Sequence, residues 1–200
     1  CPPADKALGR YIRDNPDAVA LEFHVDYWDQ LVYGRHGVWK DPFSDRRYST
    51  RQRRYAGADL DGRTGVYTPQ AVIGGVRAEL GSAGGKILKA VHRIETPLTV
   101  SVRREGEGYI ASITGAHAGN ADVWLAGFER LVDTKIDSGE NHDKVMRNHN
   151  IVRSLDRAGR WRGETLEVAL DGAVSNDTVG CAVFVQAPRQ GAVLGAAYCP

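Results

Sequence analysis

The 200-residue sequence is short of several things, and each shortage removes a class of function. No apolar run approaches the roughly 18 residues that cross a bilayer as a helix. The 26 basic and 25 acidic residues leave a net charge of +1. No global field therefore points to nucleic acid or to an acidic membrane surface. Internal repeats, low-complexity stretches and a glycine-rich phosphate-binding motif are all missing. So are an initiator methionine and a leader peptide, and a chain opening on Cys1 at the mouth of a helix reads as cut from a longer one. With 42% hydrophobic residues the chain still has the means to bury a good core. That core would serve one domain, or a compact domain plus a smaller one.

Cysteine is scarce too, at positions 1, 181 and 199. The last two lie in strand-like runs, Gly180–Val185 and Ala192–Cys199, around Pro188-Arg189-Gln190-Gly191. A hairpin centred on Gln190 sets Cys181 opposite Cys199, with Val183 opposite Ala197 and Val185 opposite Gly195. Directly opposed residues at a non-hydrogen-bonded position bring their Cβ atoms within disulfide reach. A Cys181–Cys199 bridge and an oxidising compartment are expected, with two buried free thiols as the alternative. The pairing leaves Cys1 odd.

Cys1 opens directly into a helical pattern. Ala4, Ala7, Leu8, Tyr11 and Ile12 follow the i, i+3, i+4, i+7 series of a one-sided helix, and Pro2-Pro3 fit a first turn. Asn15-Pro16 ends it. At a helix N-terminus the partial positive charge favours thiolate over thiol. A reactive sulfur and a chance terminal cysteine on a buried helix stand level on this segment alone. Ala18–Val25 then reads as a strand buried on most of its length, in an α/β unit whose carboxyl end is Asp26-Tyr27-Trp28-Asp29. Open α/β sheets place their sites at that edge. His24, Asp26 and Trp28 could face Cys1 there. For His24 a satisfied histidine is favoured, for Trp28 an aromatic lid, and Asp26 stays open between turn and site.

Further on, Ser44 or Thr50 could cap a helix carrying Arg46, Arg47, Arg51, Arg53 and Arg54. Acidic neighbours at Asp41, Asp45, Asp59 and Asp61 make a solvated face the better reading than a nucleic-acid surface. Gly65–Leu80 reads as a strand entered through Thr68-Pro69, a Gly74-Gly75 turn and a second strand. A proline at the strand entrance removes no ladder bond, and a cis Thr68–Pro69 bond is possible there. A last helix follows Gly84-Gly85, with Ile87, Leu88, Val91 and Ile94 on one face. From Thr96 the pattern alternates with period two. Leu98–Val102, Tyr109–Thr114, Asp122–Phe128, Leu131–Ile136, Leu166–Leu170, Val179–Val185 and Val193–Cys199 are the strand candidates. Gly139-Glu140-Asn141-His142-Asp143, with Met146 and His149, lacks a metal-ligand spacing and reads as a hydrogen-bonded loop.

Restoring one strand ahead of Cys1 gives the order βαβαββα, which resembles the thioredoxin fold. Its redox centre is a Cys-x-x-Cys at the start of the first helix, facing a cis-proline at the start of the third strand. Cys1 and Thr68-Pro69 match those places. More narrowly, CPPAD, FHVDYWD, WKDPF, VYTPQ, GEN and NHNIVRSL resemble the secreted bacterial thioredoxin-like family of unknown function, over nearly the whole chain. That family carries a Cys-Ser-Ser-Cys-Pro-Pro-Ala signature after a leader peptide. The resemblance makes Cys1 the second cysteine of the pair and leaves the first cysteine and first strand outside the sequence. Tyr33-Gly34-Arg35-His36-Gly37 is an apparent insertion between YWD and WKDPF, at the rim of the implied site.

The expected architecture is α/β: a thioredoxin-like domain over 1–95 and an antiparallel β subdomain, a sandwich, over 96–200. The expected function is thiol–disulfide exchange in the periplasm or outside the cell. An upstream cysteine would attack and Cys1 would resolve the mixed disulfide. Pro69 would hold the substrate backbone and keep metals off the thiols, as the resemblance implies. Thr68, Asp26 and Trp28 are the candidate substrate contacts. Partners would be protein or small-molecule thiols and disulfides, with no cofactor, no metal and no nucleic acid. Two other readings compete. One is a non-catalytic binding module on the same scaffold; the other is a thiol-based Cu(I) carrier helped by His24.

Overall fold

The computed structural model describes residues 1–31, 37–58, 60–139, 141–170 and 179–200. The Tyr33–His36 part of the apparent insertion, Asp59 and Glu140 lie outside those residues. The described residues are mixed α/β, with three sheets and few helices. Helix α1 spans Pro2–Asp14 with Cys1 as its N-cap, as the apolar spacing requires. It ends at Asn15, where Pro16 cannot continue the ladder. Helix α2 spans Arg46–Ala56. Its cap is Asp45, whose carboxylate accepts from the Arg47 N–H. This corrects the expected Ser44 or Thr50: a carboxylate one residue before the first turn suits the positive helix end better than a hydroxyl does.

Strands β1 (Asp61–Gly62), β2 (Gln70–Ile73) and β3 (Arg77–Leu80) form a small sheet in the order β1-β3-β2. β2 is therefore an edge strand, and the peptide bond that enters it, Thr68–Pro69, is cis. Gly74 and Gly75 make the turn at φ of 57° and 71°, values that favour glycine. Helix α3 follows over Gly84–Val91, so Ile94 lies beyond its end.

The remaining strands are β4 (Leu98–Glu105), β5 (Gly108–Gly115), β6 (Ala121–Lys135), β7 (Val145–Trp161), β8 (Leu166–Leu170), β9 (Gly180–Gln186) and β10 (Val193–Tyr198). They build two antiparallel sheets, β10-β9-β6-β7 and β4-β5-β8. The two share one core, with Leu98, Ile113 and Leu170 of one sheet against Val123, Leu125, Val183 and Leu194 of the other. Trp161 is fully buried at the end of β7.

Three sequence expectations change here. Asp122–Phe128 and Leu131–Ile136 are not two strands: β6 runs through both, with register shifts at Val123/Trp124 and Gly127/Phe128. β7 runs through residues read as loop, so Met146 and His149 are strand residues. Its many polar side chains hid its alternation. Ala18–Val25 is extended but bonds like a strand at one point only, a parallel bridge from Glu22 to Ile151 of β7.

The bridge Cys181–Cys199 is present, with Cα atoms 5.2 Å apart and both residues buried. The register is the expected one, Val185 opposite Gly195 and Val183 opposite Ala197. The cysteine pair, however, sits at a hydrogen-bonded position: the Cys199 N–H donates to the Cys181 carbonyl at 2.8 Å. Closing a loop of sequence separation 18, the bridge should stabilise by about 3 kcal/mol on the chain-entropy account. The Cys181→Ala/Cys199→Ala double variant is expected to lose that much in urea unfolding, and the unreduced wild type should show neither thiol to an alkylating agent.

Candidate functional site

One elongated cavity of about 1930 Å³ runs between the helices and the extended segment. Cys1, Trp28, Thr68 and Pro69 all line it, whereas Asp26 does not. The cavity brings together the helix cap and the cis-proline, which are 68 positions apart in the numbering from Cys1 to Pro69. A Cβ built on Gly81 would stand 3.0 Å from Pro69 Cβ and 3.3 Å from Ala4 Cβ. A side chain at Gly81 would therefore crowd the place where the first turn of α1 meets the entrance of β2. Cys1 is exposed and unbridged. Trp28 is 47% exposed, more a rim than a lid. Asp26 is committed elsewhere: its N–H donates to Ser49 Oγ at 2.9 Å, and its carboxylate accepts from the same buried hydroxyl.

Behind Cys1 lies Asp5, one turn along α1 and buried. Its Oδ2 is 3.3 Å from the Cys1 amino group yet accepts no hydrogen bond. Burial pushes its pKa up; the amino group works against that shift, and the charge on Glu22 reinforces it. Sequence reasoning passed over Asp5, although its i+4 offset from Cys1 on a helix was visible.

A second polar cluster sits deeper. His24 bridges two carboxylates, Nδ1 to Asp41 Oδ2 at 2.5 Å and Nε2 to Glu22 Oε1 at 3.2 Å. Glu22 also accepts from Asn148 Nδ2 at 2.8 Å and from the His149 main-chain N–H at 3.0 Å, both on β7. Burial disfavours the imidazolium, but the hydrogen bonds and charges of Asp41 and Glu22 outweigh it and raise the His24 pKa to about 9. Burial likewise opposes ionisation of Glu22, and its bonds to His24, His149 and Asn148 leave its pKa below the ordinary value. His24 is thus the satisfied histidine favoured on sequence grounds, but charged.

The pH consequence has a definite sign. A histidine raised on folding stabilises fully below its unfolded value of about 6.5, and the gain is lost as pH rises through the folded value. Glu22, lowered on folding, stabilises above its ordinary value and loses this as pH falls. Urea midpoints of the wild type should decline as pH approaches 9. In His24→Gln that alkaline decline should be flatter from a lower starting point; parallel curves would show that His24 does not set the alkaline limb.

Among the described residues no three His, Cys, Asp or Glu side chains are grouped to take an ion; in the loop near His142, Glu140 lies outside those residues. The loop's turn is held by main-chain bonds, His142 N–H to the Gly139 carbonyl and Lys144 N–H to the Asn141 carbonyl. Of the arginines of α2, Arg46, Arg47, Arg53 and Arg54 are solvated, and Arg51 turns inward.

Comparison with known proteins fits this geometry into a wider group. A protein of Agrobacterium tumefaciens with a known crystal structure is 31% identical, at a TM-score of 0.82 covering 100% of this chain and 87% of that one. HBP35 of Porphyromonas gingivalis is similar at 12% identity and a TM-score of 0.43, over 76% of this chain and 57% of that chain. No curated protein matches the sequence. The family described as "Protein of unknown function (DUF1223)" matches residues 1–186.

Proposed function

We propose, for a chain that belongs to the DUF1223 family of proteins of unknown function, the role of a thiol–disulfide oxidoreductase on a thioredoxin-like scaffold. The observation that carries this reading is the convergence on one cavity of a cysteine at a helix N-cap, a cis-proline and a buried carboxyl of raised pKa. In the reaction an upstream cysteine thiolate attacks a substrate disulfide and releases one substrate thiol. Cys1, as thiolate, then attacks the mixed disulfide and releases the second. Asp5, in its carboxylate form, takes the Cys1 proton, and its raised pKa makes it a stronger base than an ordinary carboxylate. Thr68 and Pro69, at the entrance to β2, line the cavity where an extended substrate would lie beside Cys1, and Trp28 offers an apolar rim.

The scaffold reading draws on two open edges. Along the extended segment, Ala20, Glu22, His24 and Asp26 turn main-chain groups toward the rest of the protein. Val19, Leu21, Phe23 and Val25 make no main-chain hydrogen bond among the described residues. That is the alternation of a strand paired on one side only. β2 has its free edge on the same cavity. A strand ahead of Cys1 would pair both edges and complete the thioredoxin order. The bridge Cys181–Cys199 supports a periplasmic or secreted setting. Copper carriage through His24 is the weaker reading, because both its ring nitrogens are already bonded to carboxylates.

The test is a reduction potential, read by thiol trapping across redox buffers on protein that extends ahead of Cys1. A value between about −270 and −120 mV is expected for an exchanging pair, and one below about −300 mV would make the pair structural and end the enzymatic reading.

A further inference from the structure

We propose that Arg51 is the anchor for a carboxylate on the strand that fills this cavity, and that the strand is the stretch of polypeptide leading into Cys1. The inference rests on the thioredoxin-like reading above and adds a chemical requirement to it.

The cavity is far larger than a small-molecule site. Pockets for such ligands run to about 1,000 Å³, and this one is near twice that, at about 1930 Å³. Its two long sides are the unpaired edges of Val19–Val25 and of β2, so its natural occupant is extended polypeptide with main-chain groups to offer both. Its walls are incompletely covered apolar side chains, Leu8 and Leu88 from the helices and Leu21 and Phe23 from the segment.

Arg51 breaks that apolar pattern. Arg51 lines the cavity, and its guanidinium packs 5.7, 5.4 and 5.5 Å from the ring centres of Phe23, Tyr55 and Phe184. Nη2 donates to Gln186 Oε1 at 2.7 Å and to Tyr55 Oη at 3.1 Å. No carboxylate pairs with it among the described residues. Burial presses its pKa below the ordinary value. A cation removed from water without a counter-charge is costly, and a fork of N–H donors left facing a cavity matches a carboxylate.

Geometry favours the chain's own upstream stretch as occupant. Cys1 lines the cavity, and α1 carries the chain away from it before Ala18–Val25 returns. A strand joined through one helix to its parallel neighbour follows the right-handed crossover rule, so polypeptide entering α1 would lie beside that segment. Its side chains alternate. One acidic residue is required where the strand passes α2, and apolar residues where it passes Leu8 and Leu88.

The test uses the 200-residue chain and short capped valine–threonine peptides, each with one glutamate at a different position, and their glutamine twins. At least one glutamate peptide is expected to bind about tenfold more tightly than its twin. The preference should vanish in Arg51→Gln and persist in part in Arg51→Lys, and binding should protect the amides of Val19, Leu21, Phe23 and Val25 from exchange. Equal binding of every pair of twins, no binding by any peptide, or a preference that survives Arg51→Gln would each overturn the anchor. If Arg51→Gln does not fold, the twin comparison on the wild type and on Arg51→Lys still decides. Joining the best peptide ahead of Cys1 should exclude free peptide; undiminished binding would give the cavity to a partner's strand and overturn the assignment to this chain. None of these measurements reads thiol chemistry. Their failure leaves the reduction potential to judge the oxidoreductase reading, and a structural potential leaves the anchor intact.

Discussion

Cys1→Ser, in protein extended ahead of Cys1, is expected to abolish disulfide turnover and to leave the mixed disulfide standing. The serine hydroxyl holds its proton at neutral pH and cannot displace sulfur, so the first attack proceeds and the second does not. Cys1 suits the resolving step by position: it is exposed, caps α1, and has the Asp5 carboxyl one turn behind it. Asp5→Asn keeps the shape and removes the proton acceptor. It should slow turnover above the pH at which the wild-type carboxyl ionises, and the two profiles should converge on the acid side, where the wild type's own carboxyl is protonated. Insulin precipitation with a chemical reductant reads the rate, and intact mass under acid quench reads the trapped adduct. Turnover equal to wild type in Cys1→Ser would remove Cys1 from the chemistry.

The largest effect on stability is expected from Glu22→Ala, about 3–5 kcal/mol, the usual cost of breaking a buried ion pair by deleting one partner. Three groups depend on that carboxylate. His24 would keep only Asp41, Asn148 Nδ2 and the His149 N–H would lose their acceptor, and the tie between the extended segment and β7 would rest on main-chain bonds and the Asn150 amide. Glu22→Gln should cost less, because its amide oxygen still accepts from two of the donors, though the counter-charge to His24 is gone. Urea unfolding at pH 7 measures both. A loss under 1 kcal/mol in Glu22→Ala would mean that water reaches the cluster and screens it.

Much of this was legible in the chain. Apolar spacing fixed α1 to within two residues of its observed ends at Pro2 and Asp14. Mirror placement about Gln190 found both the β9–β10 register and the disulfide, since a tight hairpin ties sequence position to spatial partner. Local signals failed where long-range structure chose. β7 carries Arg147, Asn148, His149, Asn150, Arg153, Asp156 and Arg157, and no propensity scale makes a strand of that. It is one because β6 pairs with it along its length. The Glu22–His24–Asp41 cluster was half visible: His24 stood out, but Glu22 read as the polar position of a buried strand and Asp41 as a flanking charge. Their meeting depends on the turn of chain from Asp26 to Asp41, which no periodicity encodes. Arg51 looked like its four neighbours, because helical phase alone does not say which arginine faces a cavity.

The bridge between Glu22 and Ile151 also sets a clock. Polypeptide is made from the N-terminus at roughly 5–20 residues per second, so on the order of ten seconds separates the birth of the Glu22 segment from that of its partners on β7. Until then the segment has neither the Asn150 carbonyl nor the Asn148 amide to bond. The region around Cys1 can collapse in that interval but cannot lock. The contacts around Cys1 that depend on β7 are therefore among the later ones to form. A chaperone that holds apolar segments would have its longest engagement with Leu21, Phe23 and their surroundings.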